Sequence, residues 1–318
     1  MKQTGMTVMI TGGAGFIGSH MADYWLAKGT KVVAVDNLST GKEAWISSGV
    51  DLIKLDLNKI TQLSKILLIY KPKIIHHFAG HTKLREALVE PTGDAKDNIL
   101  STVSLMQACL HTQLKGEYQP EHIIFASTSA VYSGSNLPPF SEHTHVSANS
   151  PYGISKISAE AYLEWFHTMT GITTTVLRYG NVYGPRQSCS GETGVVAKFV
   201  DALCHEQSLT VFGDGSHQRD YIHVSDVVAA NAAVAELAVQ GTFVVGTGVP
   251  TSTLELARIC QKLRPTSKIA HKDHDSTEQA KSWLNSNALT QKTGWTAKVK
   301  LKDGLKTTLR WHEDHVQK

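Results

Sequence analysis

The chain has 318 residues, 41% of them hydrophobic and 19% charged, so an ordinary globular protein of one large or two unequal domains is expected. No run approaches the roughly eighteen apolar residues of a spanning helix, and Lys2 leads straight into strand-like sequence rather than a signal peptide. A scattered net charge of +3 gives no basic patch for nucleic acid.

The first predicted element is an apolar strand from Thr7 to Ile10 that breaks into Gly12, Gly13 and Gly15 before a helix pattern opens at Phe16, Ile17 and Met21. Gly12, Gly15 and Gly18 stand at the spacing G-x-x-G-x-x-G, which lets a backbone turn tightly and approach a pyrophosphate at a helix N-terminus. An ordinary βα turn is the bland alternative for this stretch alone. Val32 to Val35 forms a second strand ending at Asp36, and Leu52 to Leu55 a third ending at Asp56. A helix is predicted around Ile60 to Tyr70. Ile74 and Ile75 then lead a fourth strand into Phe78, Ala79 and Gly80. A long helix covers about Asp94 to His111, Ile123 to Phe125 makes a fifth strand, Pro151 opens a helix to about Thr170, and Thr173 to Leu177 makes a sixth strand. Such alternation predicts an α/β protein with a Rossmann-like, doubly wound parallel sheet. The NAD-binding domain is expected over residues 1–180, with about 221–245 returning to it. A smaller mixed α/β substrate-binding domain is expected over 181–318.

Asp36 at the end of the second strand is placed to bind an adenosine ribose diol and repel a 2′-phosphate, which favours NAD over NADP. A carboxylate capping its own turn is the alternative. Tyr152 and Lys156 stand one helical turn apart on one face. A free phenol has a pKa near ~10 and is a poor base at neutral pH. A lysine ammonium and a positive nicotinamide ring both favour the phenolate, so a lowered pKa is expected for Tyr152. Y-x-x-x-K is common on helices, and its place after the fifth strand of a nucleotide-binding sheet is what gives it weight. Thr128 and Ser129 fall at the carboxyl edge of that sheet, where α/β proteins place ligands.

Sixteen histidines include the cluster His76, His77 and His81, which lacks metal-site spacing and reads as strand-end and loop residues, so no metal is expected. Cys109, Cys189, Cys204 and Cys260 are far apart, form no C-x-x-C pair and read as reduced thiols of a cytoplasmic protein.

Several segments together resemble the extended short-chain dehydrogenase/reductases, and more narrowly the nucleotide-sugar epimerases and dehydratases, nearest the UDP-hexose 4-epimerases. They are the glycine loop, Ser127-Thr-Ser-Ala-Val-Tyr132, Tyr152-x-x-x-Lys156 and Arg178-Tyr-Gly-Asn-Val-Tyr-Gly-Pro-Arg186. The resemblance continues through Val211-Phe-Gly-Asp-Gly215, Arg219-Asp-Tyr-Ile-His-Val-Ser-Asp226, Gly246-Thr-Gly-Val-Pro250 and Gly294-Trp295, so it covers essentially the whole chain. It implies NAD as cofactor, a UDP-sugar as substrate and a homodimer built on the two long helices. Their apolar positions Leu100, Leu105, Ala161 and Trp165 could equally be core. It further implies that Phe16, Ile17, Asp36, Asn37, Asp56, Leu57, Phe78, Ala79, Gly80, Asn98 and Tyr179 serve the cofactor beside Gly12, Gly15, Gly18, Tyr152 and Lys156. Thr128 matches the group that hydrogen-bonds the sugar 4-oxygen, with Ser129 beside it. Asn181 and Arg219 match diphosphate-holding groups, and Phe212 falls where the base pocket forms.

Dehydratases of this resemblance carry Asp-Glu after the active-site threonine, and decarboxylases carry Glu after Thr-Ser. This chain has Ser129 and Ala130, which favours plain 4-epimerisation, with dehydratase or decarboxylase as the alternative and a non-catalytic NAD sensor as a further one. Ser282 aligns with the position that gates N-acetylated sugars, so UDP-GlcNAc/GalNAc is expected to be accepted, with or without UDP-Glc/Gal; a surface serine is the bland reading. The segment His271-Lys-Asp-His-Asp275 lacks the diphosphate-gripping arginine expected there, and the loop His81 to Glu86 matches no single sugar specificity.

Overall fold

The computed structural model describes residues 5–82, 84–135, 137–189, 194–273 and 279–316. In chain order the elements are β1 (Thr7–Thr11), α1 (Phe16–Ala27), β2 (Lys31–Asp36), β3 (Val50–Lys54), α2 (Ile60–Tyr70), β4 (Ile74–His77), α3 (Leu84–Val89) and α4 (Pro91–Ala95). A π turn over Lys96–Leu100 joins α4 to α5 (Ser101–Leu114), followed by β5 (His122–Thr128), α6 (Pro151–Thr170), β6 (Thr173–Tyr179), β7 (Asn181–Tyr183), α7 (Val195–Cys204) and β8 (Leu209–Phe212). The chain closes with β9 (Gln218–His223), α8 (Val224–Glu236), β10 (Gly241–Val245), β11 (Pro250–Ser252), α9 (Thr253–Leu263), β12 (Ile269–Lys272), β13 (Lys281–Ser282), α10 (Asn287–Thr293) and α11 (Leu301–Val316).

Seven strands form one parallel sheet in the order β3-β2-β1-β4-β5-β6-β10. Strands β1 to β3 run outward in one direction, and β4 then starts the other half against β1. That reversal opens a crevice beyond the carboxyl ends of β1 and β4, where doubly wound sheets bind ligands. The continuous β-branched runs are buried on both faces, as a sheet covered by helices on each side requires. One face packs Val8, Ile10, Met21, Trp25 and Leu177 against residues of α8 such as Val227 and Val234. The other packs Met9, Val33, Leu63, Phe125, Leu163 and Phe166 from α2, α5 and α6.

Local signals set α6 closely. Ser150 accepts from the Gly153 amide at 3.2 Å, Pro151 occupies the first turn, and Gly171 ends the helix at φ 73°. The predicted helix over about 94–111 starts earlier, at Pro91, and is interrupted by the π turn. Such turns rotate side chains out of helical register. Of the stretch expected to return to the first domain, α8 packs beside α1 and β10 pairs with β6, whereas Tyr221 to His223 belong to β9.

Strand β9 is the spine of a second, smaller sheet, pairing with β7, β11 and β13, while β8 and β12 pair apart. Tyr183, Val200, Leu203, Leu256 and Leu305 form its core with α7, α9 and α11. The two buried histidines of β4 fill opposite faces. His76 accepts from the Trp25 indole at 2.9 Å, and His77 lies between the hydroxyls of Thr11 at 2.6 Å and Thr102 at 3.0 Å.

Candidate active site

The glycine turn is fitted to a close backbone packing. Gly12 has φ +66°, and a Cβ there would lie 2.7 Å from the Ala79 amide nitrogen, so β1 and the loop after β4 meet without a side chain between them. A Cβ on Gly18 would fall 2.1 Å from the Gly12 carbonyl oxygen. Gly15 is the cap before α1, whose first residues Phe16 and Ile17 leave the helix's opening amides at the turn. Asp36 is buried, accepting from the Ala14 amide at 3.0 Å and the Leu38 amide at 2.7 Å. This carboxylate is therefore tied to the glycine loop itself. Asn37 accepts from the Ser39 amide at 3.0 Å, and Asp56 accepts from Asn58 at 2.9 and 3.0 Å. Leu57 directs its side chain into the sheet's second core, leaving its backbone for any contact at the edge. Phe78 stacks on His76 with a ring separation of 6.0 Å.

His77 ties this crevice to the next helix. Thr102 donates to the Asn98 carbonyl at 2.7 Å, so it accepts from His77 Nε2, leaving His77 Nδ1 to accept from Thr11. Burial holds the imidazole neutral, with its pKa lowered to about 3. Asn98, fully buried in the π turn, accepts from the His81 amide at 3.0 Å and donates to the His81 carbonyl at 3.1 Å. A narrow backbone cradle, helix-opening amides and a buried acid at the end of β2 fit an NAD dinucleotide.

Tyr152 and Lys156 occupy the first turns of α6 and are both buried. The lysine ammonium donates to the Ala126 carbonyl at 3.1 Å and lies 4.8 Å from the centre of the Phe125 ring. Burial lowers its pKa to about 8, against the opposing charges of Asp94 and Glu160. The Thr128 side chain favours the ionised form of the Tyr152 phenol. Thr128 ends β5 and also accepts from the Ala130 amide at 3.1 Å, opening a short 3-10 turn through Ser129 to Tyr132. Without the nicotinamide charge that the expected lowering includes, burial first, and the Asp94 charge with it, push Tyr152 up to about 12, outweighing the influence of Thr128. Lys156 stands 6.0 Å from the phenol ring centre and spends a donor on Ala126.

The Tyr179 phenol is buried on the α8 side of the sheet, hydrogen-bonded with the Asn231 amide at 2.8 Å. Among the substrate-side residues, Arg219 and Ser282 are brought together as register neighbours on β9 and β13. Ser282 is buried, so it is not a surface serine. The Arg219 guanidinium donates to the Gln218 carbonyl at 2.9 Å. Asn181 is exposed at the start of β7, next to Tyr221 in register. Phe212 is half exposed on β8, opposite Lys272 in register. Lys83, His274 and Asp275 lie outside the described residues.

One buried network was not anticipated from the chain's pattern. Arg178 donates to Glu160 at 3.1 and 2.6 Å and to the Tyr132 hydroxyl at 2.7 Å, and Ser127 also donates to Glu160. Breaking such a pair costs roughly 3–5 kcal/mol. Its signal was a lone arginine in an apolar strand, which requires a partner when buried.

The profile of the NAD-dependent epimerase/dehydratase family matches residues 8–246. The chain belongs to this family. Its cofactor is NAD. The UDP-glucose 4-epimerase of Mycolicibacterium smegmatis is 33% identical over 98% of this chain and 100% of that protein. The structure is similar to that of UDP-glucose 4-epimerase from Thermotoga maritima with UDP-glucose, at TM-score 0.90 and 33% identity, covering 98% of this chain and 100% of the other. It is also similar to UDP-N-acetylglucosamine 4-epimerase from Methanobrevibacter ruminantium in complex with UDP-N-acetylmuramic acid, at TM-score 0.90 and 30% identity, covering 98% and 99%.

Proposed function

We propose that the chain is a UDP-sugar 4-epimerase that acts on UDP-GlcNAc and UDP-GalNAc, with or without UDP-glucose and UDP-galactose. The observation that carries this reading is the side-chain set at the end of β5. Thr128 favours the Tyr152 phenolate, and the next positions are Ser129 and Ala130, with no carboxylate to eliminate or decarboxylate across the sugar. NAD held by the glycine turn and Asp36 would supply a reversible hydride acceptor for the sugar C4. Tyr152 takes the proton of the 4-hydroxyl, Thr128 orients that oxygen, and Lys156 keeps positive charge beside the phenolate. Arg219 and Asn181 hold the diphosphate while the sugar turns. Because no arginine stands in the segment 271–275, Arg219 or a lysine or histidine carries more of that load.

Product analysis tests the reading. UDP-GlcNAc is expected to equilibrate with UDP-GalNAc, with no 4-keto-6-deoxy product absorbing in strong base. Such a chromophore, released carbon dioxide, or bound NAD without turnover would point to the dehydratase, the decarboxylase or the sensor instead.

The small buried Ser282 beside Arg219 supports acceptance of the acetamido group. Ser282→Tyr is expected to lower kcat/KM for the acetylated pair by roughly tenfold or more, leaving any UDP-glucose activity. Equal losses on both sugar pairs would count against a gate at this position.

A homodimer fits the exposed apolar side chains of this region, Leu100 in the π turn and Trp165 on α6 at 53% and 51% exposure, with Ala161 beside them. Leu105 belongs to the core and is removed from that surface. Cytoplasmic placement fits four free cysteines. Among the described residues no helix is long and apolar enough to cross a membrane.

A further inference from the structure

Asp94 is a carboxylate on α4 with 3% exposure, packed beside α6, and none of the roles above uses it. Burying a charge of this kind is costly unless something nearby repays the loss of water. Its Oδ1 accepts from the Asn98 amide nitrogen at 2.9 Å across the π turn. Among the described residues no cation is in ion-pair contact with it. We propose that Asp94 is a positioning residue of the active site, fixing the Asn98 amide and supplying the counter-charge of the Lys156 ammonium.

The first half follows from donor chemistry. A carboxylate only accepts, so the Asn98 NH2 group must face Asp94 and the amide oxygen must face the His81 N–H. That orientation lets one side chain hold both backbone groups of His81, at 3.0 and 3.1 Å. The preceding Gly80 has φ +156°, and a Cβ there would lie 2.5 Å from Asn98 Oδ1 and 3.3 Å from Lys156 Nζ. The oriented amide and the ammonium therefore converge on the space left open by the missing Gly80 side chain.

The second half follows from the charges around Lys156. On α6, Glu160 is already shared with Arg178 and Ser127. From β4, His77 is neutral. The loop after β4 brings His81, whose ring is 3.4 Å from Glu86 of α3, and Glu90 meets Asp94 only through its carbonyl, at 3.3 Å. Asp94 is then the leading anionic influence on Lys156, and the same charge disfavours the Tyr152 phenolate. Its cost and its use are linked, since it keeps the lysine charged in a dry pocket while holding the phenol protonated until a cationic ring is present.

This inference rests on the epimerase reading for its purpose, but its test does not need turnover. In the NAD-loaded protein, phenolate absorbance is titrated against pH, with Tyr152→Phe as the blank that isolates Tyr152. Asp94→Asn keeps an oxygen to accept from Asn98 and removes only the charge. Its Tyr152 midpoint is expected about one pH unit lower than in the unsubstituted protein, and Asp94→Glu is expected to restore it. The smaller neutral Asp94→Ser should give the same shift if the asparagine variant does not fold. An unmoved midpoint in the neutral variants would overturn the proposal, whatever the sugar assays show. Where turnover is present, both limbs of the kcat profile are expected to move to lower pH in Asp94→Asn.

Discussion

Tyr152→Phe is expected to lower kcat by roughly 10²–10⁴-fold, the range of a lost general base, while NAD stays bound. The Thr128 side chain at the end of β5 acts on this phenol, favouring its ionised form. Its pKa of about 12 in the protein means that the free site holds it protonated and that the charge of bound cofactor must bring it into use. Phenylalanine fills the same buried space in α6, so fold and cofactor site should persist. Thr128 keeps its bond from the Ala130 amide. NAD released on denaturation, measured against protein, should therefore match the unsubstituted protein. Undiminished turnover would remove Tyr152 from its role, and loss of NAD would show that the substitution acts through the fold.

Gly18→Ala is expected to strip the protein of NAD and to destabilise it even without cofactor. The added methyl would sit 2.1 Å from the Gly12 carbonyl oxygen, and both groups are backbone, so no rotamer relieves the clash. Helix α1 must lift away from the glycine turn, at a cost of roughly 1–3 kcal/mol or more. Gly15→Ala is the informative control. Its methyl meets only that same oxygen, at 3.1 Å, and otherwise faces the crevice. It should weaken NAD binding while leaving the melting temperature of the cofactor-stripped chain close to that of the unsubstituted protein. Equal destabilisation by both variants would contradict this assignment of the two glycines.

The elements were legible to the extent that their causes are local. Alternating β-branched runs and helices marked the parallel sheet, and Pro151 and Gly171 bounded α6 because capping acts within a turn. The π turn was not legible, because the 94–111 pattern is helical throughout and only tertiary packing selects the wider turn that brings Asn98 under Gly80. The site was read in outline from Thr128, Tyr152 and Lys156. The burial that holds the Tyr152 phenol protonated without cofactor was not legible, because a spacing of one helical turn indicates proximity to a cation but not how much water is excluded. The face on which the Tyr179 phenol lies was not legible for a related reason. Alternation on β6 sends Arg178 to Glu160 and Tyr179 to Asn231 on the opposite face.

By itself the sequence determined the sheet, the glycine turn, the family and the three residues at the end of β5 and the start of α6. All of these rest on contacts within a few residues or on a repeated strand and helix alternation. Only the tertiary structure decided which charges share the buried space beside that site. Asp94 and Glu160 reach Lys156 from α4 and α6, Arg178 reaches Glu160 from β6, and Ser282 meets Arg219 across β9 and β13. Those encounters join residues far apart in the chain. Their energies depend on how much water is excluded around them, which no local pattern encodes.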